Sequence, residues 1–533
     1  MIVGVGCGTI SGLKGRGWTL MRTMAAVTFA ILLGGLVYLD RSVNAQVPSA
    51  HISLDAAACE RLASLTMSNA TVTSAQVVPA GQFKPPAGAD AGFADLPSFC
   101  RVALTIAPSR DSDIKAETWL PLSGWNAKFQ EVGNGGWSGD IQYDALAEAL
   151  RRGYATASTD TGHKGGSASF ALGHPEKVID FGYRAIHETA LKSKAIIAAM
   201  YGAAQRFSYF TGCSGGGRQA FAEAQRYPED FEGIIAGAPG YDRTDESFQL
   251  VALAQAMLRD PASRIPPEKL SVLHQAALDT CDARDGVKDG IINDPTRCKF
   301  DPAVTQCKGP DGSNCLTQAQ VETAKKFYAP LNDPKTGDEV FPGFEPGSEL
   351  RWAGLASGPL TMADDLFKYV VFQDPKWDYM TLDVSRHLAL ARKIDNGTIS
   401  PTSPNLKPFV GRGGKLLIYH GWGDQNVAPR SSVEYYKKLV AALGQHQVDD
   451  SVRLYMAPGM GHCGGGEGPN VFDTLTALEQ WREHGVAPKE IIASQITNGS
   501  VSRMRPLCPY PQVAQYKGTG STDQAENFFC RLP

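Results

Sequence analysis

The sequence predicts an α/β fold in which helices cover both faces of a mainly parallel sheet and a long insertion divides the core. Between residues 100 and 240, short apolar runs alternate with helical stretches, which is the pattern of a parallel sheet. From 241 to 408 the predicted helices are joined by long connections rich in proline, glycine and cysteine, and strand-like runs then return. We therefore expect a core formed by residues 46–240 and 409–533, with an inserted domain at 241–408.

Apolar runs predict the individual elements of this core. Short runs rich in β-branched and aromatic residues indicate strands, and longer amphipathic runs indicate helices. The predicted strands are 129–133, 154–158, 207–211, 231–239, 415–419 and 452–456, and the predicted helices are 185–200 and 218–226.

Composition and charge narrow the possible functions. The 533 residues are 43% hydrophobic and 20% charged, which is ordinary for a folded globular protein, and the formal net charge is -4. A nucleic-acid partner would normally require a basic face, so we expect none. A small neutral or weakly acidic substrate is compatible with this balance.

The N-terminus has the pattern of a secretory signal peptide. Basic residues within 14–22 precede an apolar run at 24–38, and small residues up to Ala45 offer a cleavage site. We predict a signal peptide at 1–45, a secreted or periplasmic mature protein, and no membrane contact after cleavage. An uncleaved membrane anchor is the alternative, although the apolar run is short for a transmembrane helix.

The cysteine count supports export. Of 11 cysteines, the predicted signal peptide removes Cys7 and leaves an even set, which in an exported chain predicts disulfides. No Cys/His spacing fits a zinc site. Sequence alone does not fix the pairing. Joining nearest neighbours gives Cys59–Cys100, Cys281–Cys298, Cys307–Cys315 and Cys508–Cys530 and leaves Cys213 and Cys463.

A nucleophilic serine is predicted at Ser214. The segment from Gly212 to Gly216 fits the G-x-S-x-G pattern, with a strand-like run before it and a helix-forming run after it. In this arrangement the serine occupies a strained strand-to-helix turn, and the flanking glycines let neighbouring backbone approach. The context predicts the α/β-hydrolase fold.

An aspartate and a histidine follow in the order that this fold requires. Asp424 follows one predicted strand and His462 follows the next. We predict His462 as the base and Asp424 as the residue that orients it; a turn aspartate and a capping or core histidine are the alternatives. Because a nucleophile and its base lie roughly 2.6–3.2 Å apart, Cys213 and Cys463 beside them could reach the roughly 4.4–6.8 Å Cα separation of a disulfide.

Backbone donors for an oxyanion are predicted in two places. One is the N–H of Gly215, directly after the serine, and the other is Gly135 or Gly136 in a glycine-rich loop after the strand at 129–133. A plain turn is the alternative for that loop.

An acidic loop in the insertion suggests a structural calcium ion. The candidate ligands are the side chains of Asp282, Asp285 and Asp289 and the carbonyls of Val287 and Ile291, since hard cations prefer oxygen ligands. A solvated acidic turn is the alternative. We expect no catalytic role for this site and no organic cofactor.

Together these residues resemble the tannase and feruloyl esterase family, which is marked by a Cys-Ser pair, an aspartate and a His-Cys pair. Here these are Cys213-Ser214, Asp424 and His462-Cys463, and the resemblance covers most of the mature chain. It implies a Cys213–Cys463 disulfide, an insertion that forms a lid domain over the active site, and small substrates that are esters of aromatic acids such as hydroxycinnamates or gallates.

The layout is also similar to the branch of this family that hydrolyses mono(2-hydroxyethyl) terephthalate. That branch holds the substrate carboxylate with a lid arginine, whereas residues 352–372 here contain Lys368 and no arginine. An exported serine peptidase is a further alternative, and so is a calcium-binding protein with an inactive site. The candidate substrate-binding residues are Trp352, Phe367, Phe372 and His420, with ordinary core packing as the alternative for the aromatic three.

Overall fold

The computed structural model describes residues 54, 56–86 and 92–533. The predicted signal peptide at 1–45, with Cys7, lies outside these residues. Among the helices in the described ranges, none is long and apolar enough to cross a membrane.

The described residues contain the strands that the apolar runs predict and several more. In chain order they are β1 (Ala70–Val78), β2 (Phe99–Ile106), β3 (Ile114–Pro121), β4 (Lys128–Val132), β5 (Ala155–Thr159), β6 (Phe207–Cys213), β7 (Gly233–Gly237), β8 (Leu331–Asn332), β9 (Glu339–Phe341), β10 (Lys415–Gly421), β11 (Val452–Ala457), β12 (Ile491–Thr497), β13 (Ser500–Leu507), β14 (Val513–Tyr516) and β15 (Phe528–Arg531).

The α-helices lie between these strands and in the insertion. They are α1 (Ala56–Arg61), α2 (Tyr143–Arg151), α3 (Pro175–Ile179), α4 (Ala185–Tyr201), α5 (Gly215–Arg226), α6 (Arg243–Leu258), α7 (Pro267–Cys281), α8 (Gln318–Tyr328), α9 (Thr361–Asp365), α10 (Val384–Asp395), α11 (Lys407–Gly411), α12 (Arg430–Leu443), α13 (Gln445–Ser451) and α14 (Thr474–His484).

One sheet of nine strands forms the centre of the described core, in the spatial order β1-β2-β3-β5-β4-β6-β7-β10-β11. The six strands from β5 to β11 in this order run parallel, and β1 to β3 pair antiparallel at one edge. The predicted α/β architecture with a mainly parallel sheet is therefore confirmed. Because the carboxyl ends of parallel strands share one edge, the segments after β4, β6, β10 and β11 meet there.

Sequence patterns located the parallel strands within about two residues but predicted none of the antiparallel strands β1, β2 and β3. The edge strand β1 alternates half-buried and exposed residues, and β3 is buried along almost its whole length. The helix predicted at 218–226 begins earlier, at Gly215, because the glycines after Ser214 form its first turn.

The insertion has an apolar core of its own. Buried Phe248, Phe327, Trp352 and Phe367 belong to one cluster, which also takes in Trp137 from the loop after β4. The insertion therefore packs against the loop that was predicted to carry an oxyanion donor. Its boundaries at 241 and 408 stay a prediction.

Five disulfides link the ten cysteines of the described chain. Four of them join nearest neighbours in sequence, and the fifth joins Cys213 to Cys463 across 250 residues. The four short-range disulfides are Cys59–Cys100, Cys281–Cys298, Cys307–Cys315 and Cys508–Cys530.

Candidate active site

Ser214 lies in a tight turn between β6 and α5, as the sequence pattern predicts. Its φ of 61° and ψ of -118° are unusual for a residue with a side chain, and such strain concentrates at functional sites. The turn is held by the Ser214 N–H, which donates to the Gly237 carbonyl at 2.9 Å, and by the Gly240 N–H, which donates to the Ser214 carbonyl at 3.3 Å.

The glycines around Ser214 are required by close backbone contacts. A Cβ atom at Gly212 would lie 2.6 Å from the Gly216 carbonyl, and one at Gly217 would lie 2.4 Å from the Gly237 carbonyl. Both distances are far shorter than van der Waals contact. Glycines are therefore needed where β6 and β7 lie closest to the start of α5.

Asp424 and His462 meet at the carboxyl ends of β10 and β11. Asp424 Oδ2 lies 2.7 Å from His462 Nδ1, and Asp424 Oδ1 accepts from the N–H groups of Asn426 at 2.7 Å and Val427 at 3.0 Å. Asp424 is fully buried, whereas the His462 side chain keeps 14% of its surface exposed. The carboxylate thus fixes one ring nitrogen and leaves the other for a reacting group.

The pKa values of this pair are shifted in opposite directions. Burial alone would raise the pKa of Asp424, but the charge of His462 and hydrogen bonds from His420 and His462 lower it below its ordinary value. Burial alone would lower the pKa of His462, but the Asp424 carboxylate outweighs burial and raises it. The pair therefore favours an ionised aspartate beside a histidine that takes up a proton readily.

His420 lies behind Asp424 and not in a substrate pocket. It is fully buried; its Nε2 is 3.0 Å from Asp424 Oδ2 and 3.2 Å from the Val427 carbonyl, and its Nδ1 is 2.8 Å from Ser432 Oγ. With both ring nitrogens engaged, His420 has no surface to offer a substrate. This differs from the expected substrate contact and indicates that His420 positions Asp424.

The Cys213–Cys463 disulfide brings the serine turn and the histidine loop together. The two Cα atoms are 6.0 Å apart, and each cysteine is the immediate neighbour of Ser214 or His462. Cys463 itself has a φ of 61°, so the histidine loop is tightly bent at the bridge. The disulfide therefore restrains both segments against each other.

The two predicted oxyanion segments are in contact. A Cβ atom at Gly215 would lie 3.0 Å from the Gly136 nitrogen, so only a glycine lets the loop after β4 approach the serine turn. Gly136 has a φ of 50°, and among the described residues its N–H donates no hydrogen bond. Gly215 is the first residue of α5, where helical N–H groups lack an intrahelical acceptor. Gly135 is held in the same loop by the Ser138 N–H, which donates to its carbonyl at 2.8 Å.

Sequence patterns missed a buried charged pair beside this site. Arg243 and Glu246, at the start of α6, are 1% and 0% exposed, and Arg243 Nη1 lies 3.3 Å from Glu246 Oε1. The charges of both residues act on the pKa of His462, Glu246 raising it and Arg243 lowering it. An Arg and a Glu three positions apart on a helix usually form an exposed ion pair, so their sequence gave no signal.

A second missed residue is Arg351, which connects the insertion to the histidine loop. Its Nη2 lies 2.6 Å from Glu467 Oε2, and its guanidinium packs against Gly461 and Gly423. Arg351 directly precedes residues 352–372, the stretch in which the resemblance predicts a lid arginine. Lys368, the cation found in that stretch, pairs with Asp364 at 2.6 Å.

The three candidate aromatic residues lie in the core of the insertion. Trp352 is fully buried against Phe327, with ring centroids 4.5 Å apart, and its Nε1 donates to Ser348 Oγ at 3.0 Å. Phe367 is also fully buried, and the half-buried Phe372 stacks on Trp377. For Trp352 and Phe367 the structure favours core packing over a substrate contact.

In the predicted calcium loop, the charges of Asp289 and Asp282 act on Asp285. Both Asp282 oxygens accept from N–H groups of the loop itself, from Asp289 at 3.1 Å and Gly290 at 2.9 Å, and Asp289 is paired with Arg505. Burial, with the charge of Asp289, raises the pKa of Asp285 to about 6.

Carboxylate and carbonyl oxygens are the ligands that calcium prefers in proteins. No group of three His, Cys, Asp or Glu side chains with metal-holding geometry occurs in the described ranges, however. The calcium ion, with carbonyl ligands from Val287 and Ile291, stays a prediction.

Comparisons with known proteins agree with this geometry. The family model described as tannase and feruloyl esterase matches residues 100–531. An uncharacterized esterase of Xanthomonas campestris is 39% identical over 93% of this chain and 95% of its own length. A probable feruloyl esterase B-2 of Aspergillus terreus is 35% identical over 82% of this chain and 90% of its own length.

Solved structures give the same result. Feruloyl esterase B from Aspergillus oryzae superimposes with a TM-score of 0.84 at 31% identity, covering 89% of this chain and all of that one. Tannin acyl hydrolase from Aspergillus niger, with a TM-score of 0.73 at 20% identity over 90% of this chain and 95% of that one, shares the fold. The chain belongs to the tannase and feruloyl esterase family and has the α/β-hydrolase fold.

Proposed function

We propose that this protein is a serine carboxylesterase that hydrolyses esters of aromatic acids, with Ser214 as nucleophile, His462 as base and Asp424 as orienting residue. The single observation that carries the proposal is the bridged site, in which Cys213–Cys463 joins the strained serine turn to the loop of the Asp424-paired histidine. Relatives described as probable feruloyl esterases support the substrate class.

The proposed reaction is acyl transfer. Ser214 Oγ attacks the ester carbonyl while His462 takes its proton, and the Asp424 carboxylate stabilises the imidazolium that results. The N–H groups of Gly215 and Gly136 stabilise the oxyanion. His462 then protonates the leaving alcohol, and a water molecule attacks the acyl-enzyme with the same residues in reversed roles.

A secreted or periplasmic location is part of the proposal. The five disulfides of the described chain would be stable in an oxidising compartment and would be reduced in most cytosols. A signal peptide at 1–45 would direct the chain there.

A panel of esters tests the proposed function. We expect the purified protein to hydrolyse methyl ferulate or methyl gallate with a higher kcat/KM than mono(2-hydroxyethyl) terephthalate, because residues 352–372 contain no arginine and their one lysine, Lys368, is already paired with Asp364. The amide of ferulic acid tests the peptidase alternative. Turnover of an activated p-nitrophenyl ester alone, without any aromatic acid ester, would contradict the proposed substrate class.

A further inference from the structure

The buried pair formed by Arg243 and Glu246 has hydrogen-bonding capacity that the described protein does not use. Arg243 Nη1 donates to Met362 Sδ at 3.0 Å and lies near Glu246 Oε1, but Arg243 Nη2 and Glu246 Oε2 have no hydrogen-bond partner among the described residues. A buried charged atom left without a partner is costly, so native proteins usually supply one. Among the described residues, a donor and an acceptor on these two neighbouring side chains are thus unused.

These two atoms lie against the serine turn. A Cβ atom at Gly240 would be 3.1 Å from Glu246 Oε2 and 3.3 Å from Arg243 Nη2, and the Gly240 N–H donates to the Ser214 carbonyl. The charges of the pair also act on His462. The pair therefore lies against the serine turn and close enough to His462 to affect its pKa.

The other side of the pair is closed by the insertion and by the loop after β4. Met362, which accepts from Arg243, lies on α9, and its carbonyl accepts from Trp137 Nε1 at 3.0 Å. Trp137 directly follows Gly136, the proposed oxyanion donor. If the aromatic ring of the acyl group extended from the reacting carbonyl towards Arg243 and Glu246, it would lie between Met362 and Trp137. Aromatic rings bind well among apolar and sulfur-containing side chains.

The chemistry of the pair distinguishes between ligands. A hydroxyl group can accept from Arg243 Nη2 and donate to Glu246 Oε2 at the same time. A carboxylate can accept from the arginine but would bring a like charge to the glutamate, and an ether oxygen can only accept. An ionised pair has no net charge, which also favours a neutral polar group.

We propose that Arg243 and Glu246 bind a ring hydroxyl of the aromatic acid and make this enzyme selective for phenolic acids over unsubstituted ones. The inference rests on the proposed function, because it places the acyl group of the ester beside the serine turn. It adds the recognition of one substituent by two named residues.

The test compares kcat/KM for the methyl esters of cinnamic acid, of 3- and 4-hydroxycinnamic acid, and of the two matching methoxycinnamic acids. For the wild-type enzyme we expect the better hydroxycinnamate to exceed both cinnamate and its methoxy counterpart at least about tenfold, the effect of a hydrogen bond of about 1.4 kcal/mol. Arg243→Met removes the donor and should lower the hydroxyl-to-cinnamate ratio at least about tenfold.

Glu246→Gln keeps the shape of the side chain but adds a donor. It should lower the hydroxyl-to-methoxy ratio at least about tenfold, because the amide can donate to the ether. Asp245→Asn is the matched control: it removes a carboxylate from the same helix, where Asp245 pairs with Arg392, and should leave both ratios within about twofold. Arg243→Lys, which keeps a donor, should retain part of the preference.

Four results would contradict the inference. Unchanged ratios in Glu246→Gln would overturn the inference, even if Arg243→Met proved too unstable to assay, and so would a wild-type ratio near one. An equal loss of kcat/KM for all five esters in Arg243→Met and Glu246→Gln would show that the pair only stabilises α6. This result would also overturn the inference. Absence of wild-type turnover with every ester, despite turnover of p-nitrophenyl acetate, would reject the proposed function and the inference with it.

Discussion

Individual residues at the site owe their properties to neighbours that are distant in sequence. His462 and His420 lower the pKa of Asp424. Its Oδ1 atom accepts hydrogen bonds from the N–H groups of Asn426 and Val427. The order serine, aspartate, histidine was enough to predict that Asp424 and His462 lie together. The role of His420 was mispredicted. A histidine four positions before the aspartate can line the substrate pocket or be a buried partner of the aspartate, and the sequence does not distinguish the two.

The raised pKa of His462 predicts the pH dependence of the reaction. A histidine acts as base only when it is neutral, so kcat/KM should rise with pH through an apparent pKa above the ordinary histidine value of about 6.5. Asp424→Asn removes the charge that raises this pKa, so the acidic limb should move to lower pH while kcat falls by roughly 10⁴-fold. A pH–rate profile on a methyl ester measures both. An unshifted limb in Asp424→Asn would contradict the assignment of that limb to His462.

Residues of the insertion were harder to predict. Arg243 and Arg351 come from segments with helical or irregular patterns, and nothing in those patterns shows that they reach the serine turn or the histidine loop. Their contacts arise from tertiary packing, which a single sequence does not encode in local periodicity.

At the scale of elements, the parallel strands were predictable because each combines an apolar run with a turn signal. The antiparallel strands β1 and β3 were not, because one is an exposed edge and the other lacks alternation. The functional segments all follow strand ends, so locating β4, β6, β10 and β11 was enough to locate the candidate site.

We expect the Cys213–Cys463 disulfide to stabilise the fold and to restrain the two segments that carry the proposed nucleophile and base. It closes a loop of 250 residues, against 8 for Cys307–Cys315, and loop-closure entropy then gives it about 3 kcal/mol more stabilisation. Replacing Cys213 and Cys463 by serine should lower the free energy of unfolding and reduce kcat/KM at least about tenfold, because the serine and histidine segments lose their restraint.

Urea unfolding and ester hydrolysis measure these two effects. The matched control replaces Cys307 and Cys315 by serine, which removes a bridge within the insertion and should leave kcat/KM within about twofold. Equal kcat/KM values for the two double variants would contradict a positioning role for the active-site bridge.

The acidic loop after α7 is a separate element with its own test. If calcium binds the carboxylates of Asp282, Asp285 and Asp289, it removes their mutual repulsion and stabilises the folded state through binding. A chelator should then lower Tm by several degrees, and added calcium should restore it. Asp285→Asn should abolish the response. A Tm that is insensitive to chelator in the wild-type protein would leave the loop as an acidic turn.

At the scale of the whole molecule, the predicted insertion contains most of one apolar cluster and packs against the predicted core. The two contact each other at Trp137, Arg243 and Arg351, all of which lie close to the segments that carry the proposed nucleophile, base and oxyanion donors. In the proposed reaction the core supplies the nucleophile, the base and the orienting aspartate, and the predicted insertion brings Arg243 and Arg351 close to the segments that carry them. The division near residue 241 stays a prediction, and nothing in the sequence indicated which side chains would make these contacts.

The most direct test of the central claim is the rate of methyl ferulate or methyl gallate hydrolysis by Ser214→Ala beside the wild type, with circular dichroism and Tm showing that both are folded. Loss of the nucleophile should reduce kcat by roughly a millionfold, to background. The wild type should turn over at least one of the two esters. Appreciable turnover of either ester by the folded Ser214→Ala protein would contradict the assignment of Ser214 as the nucleophile.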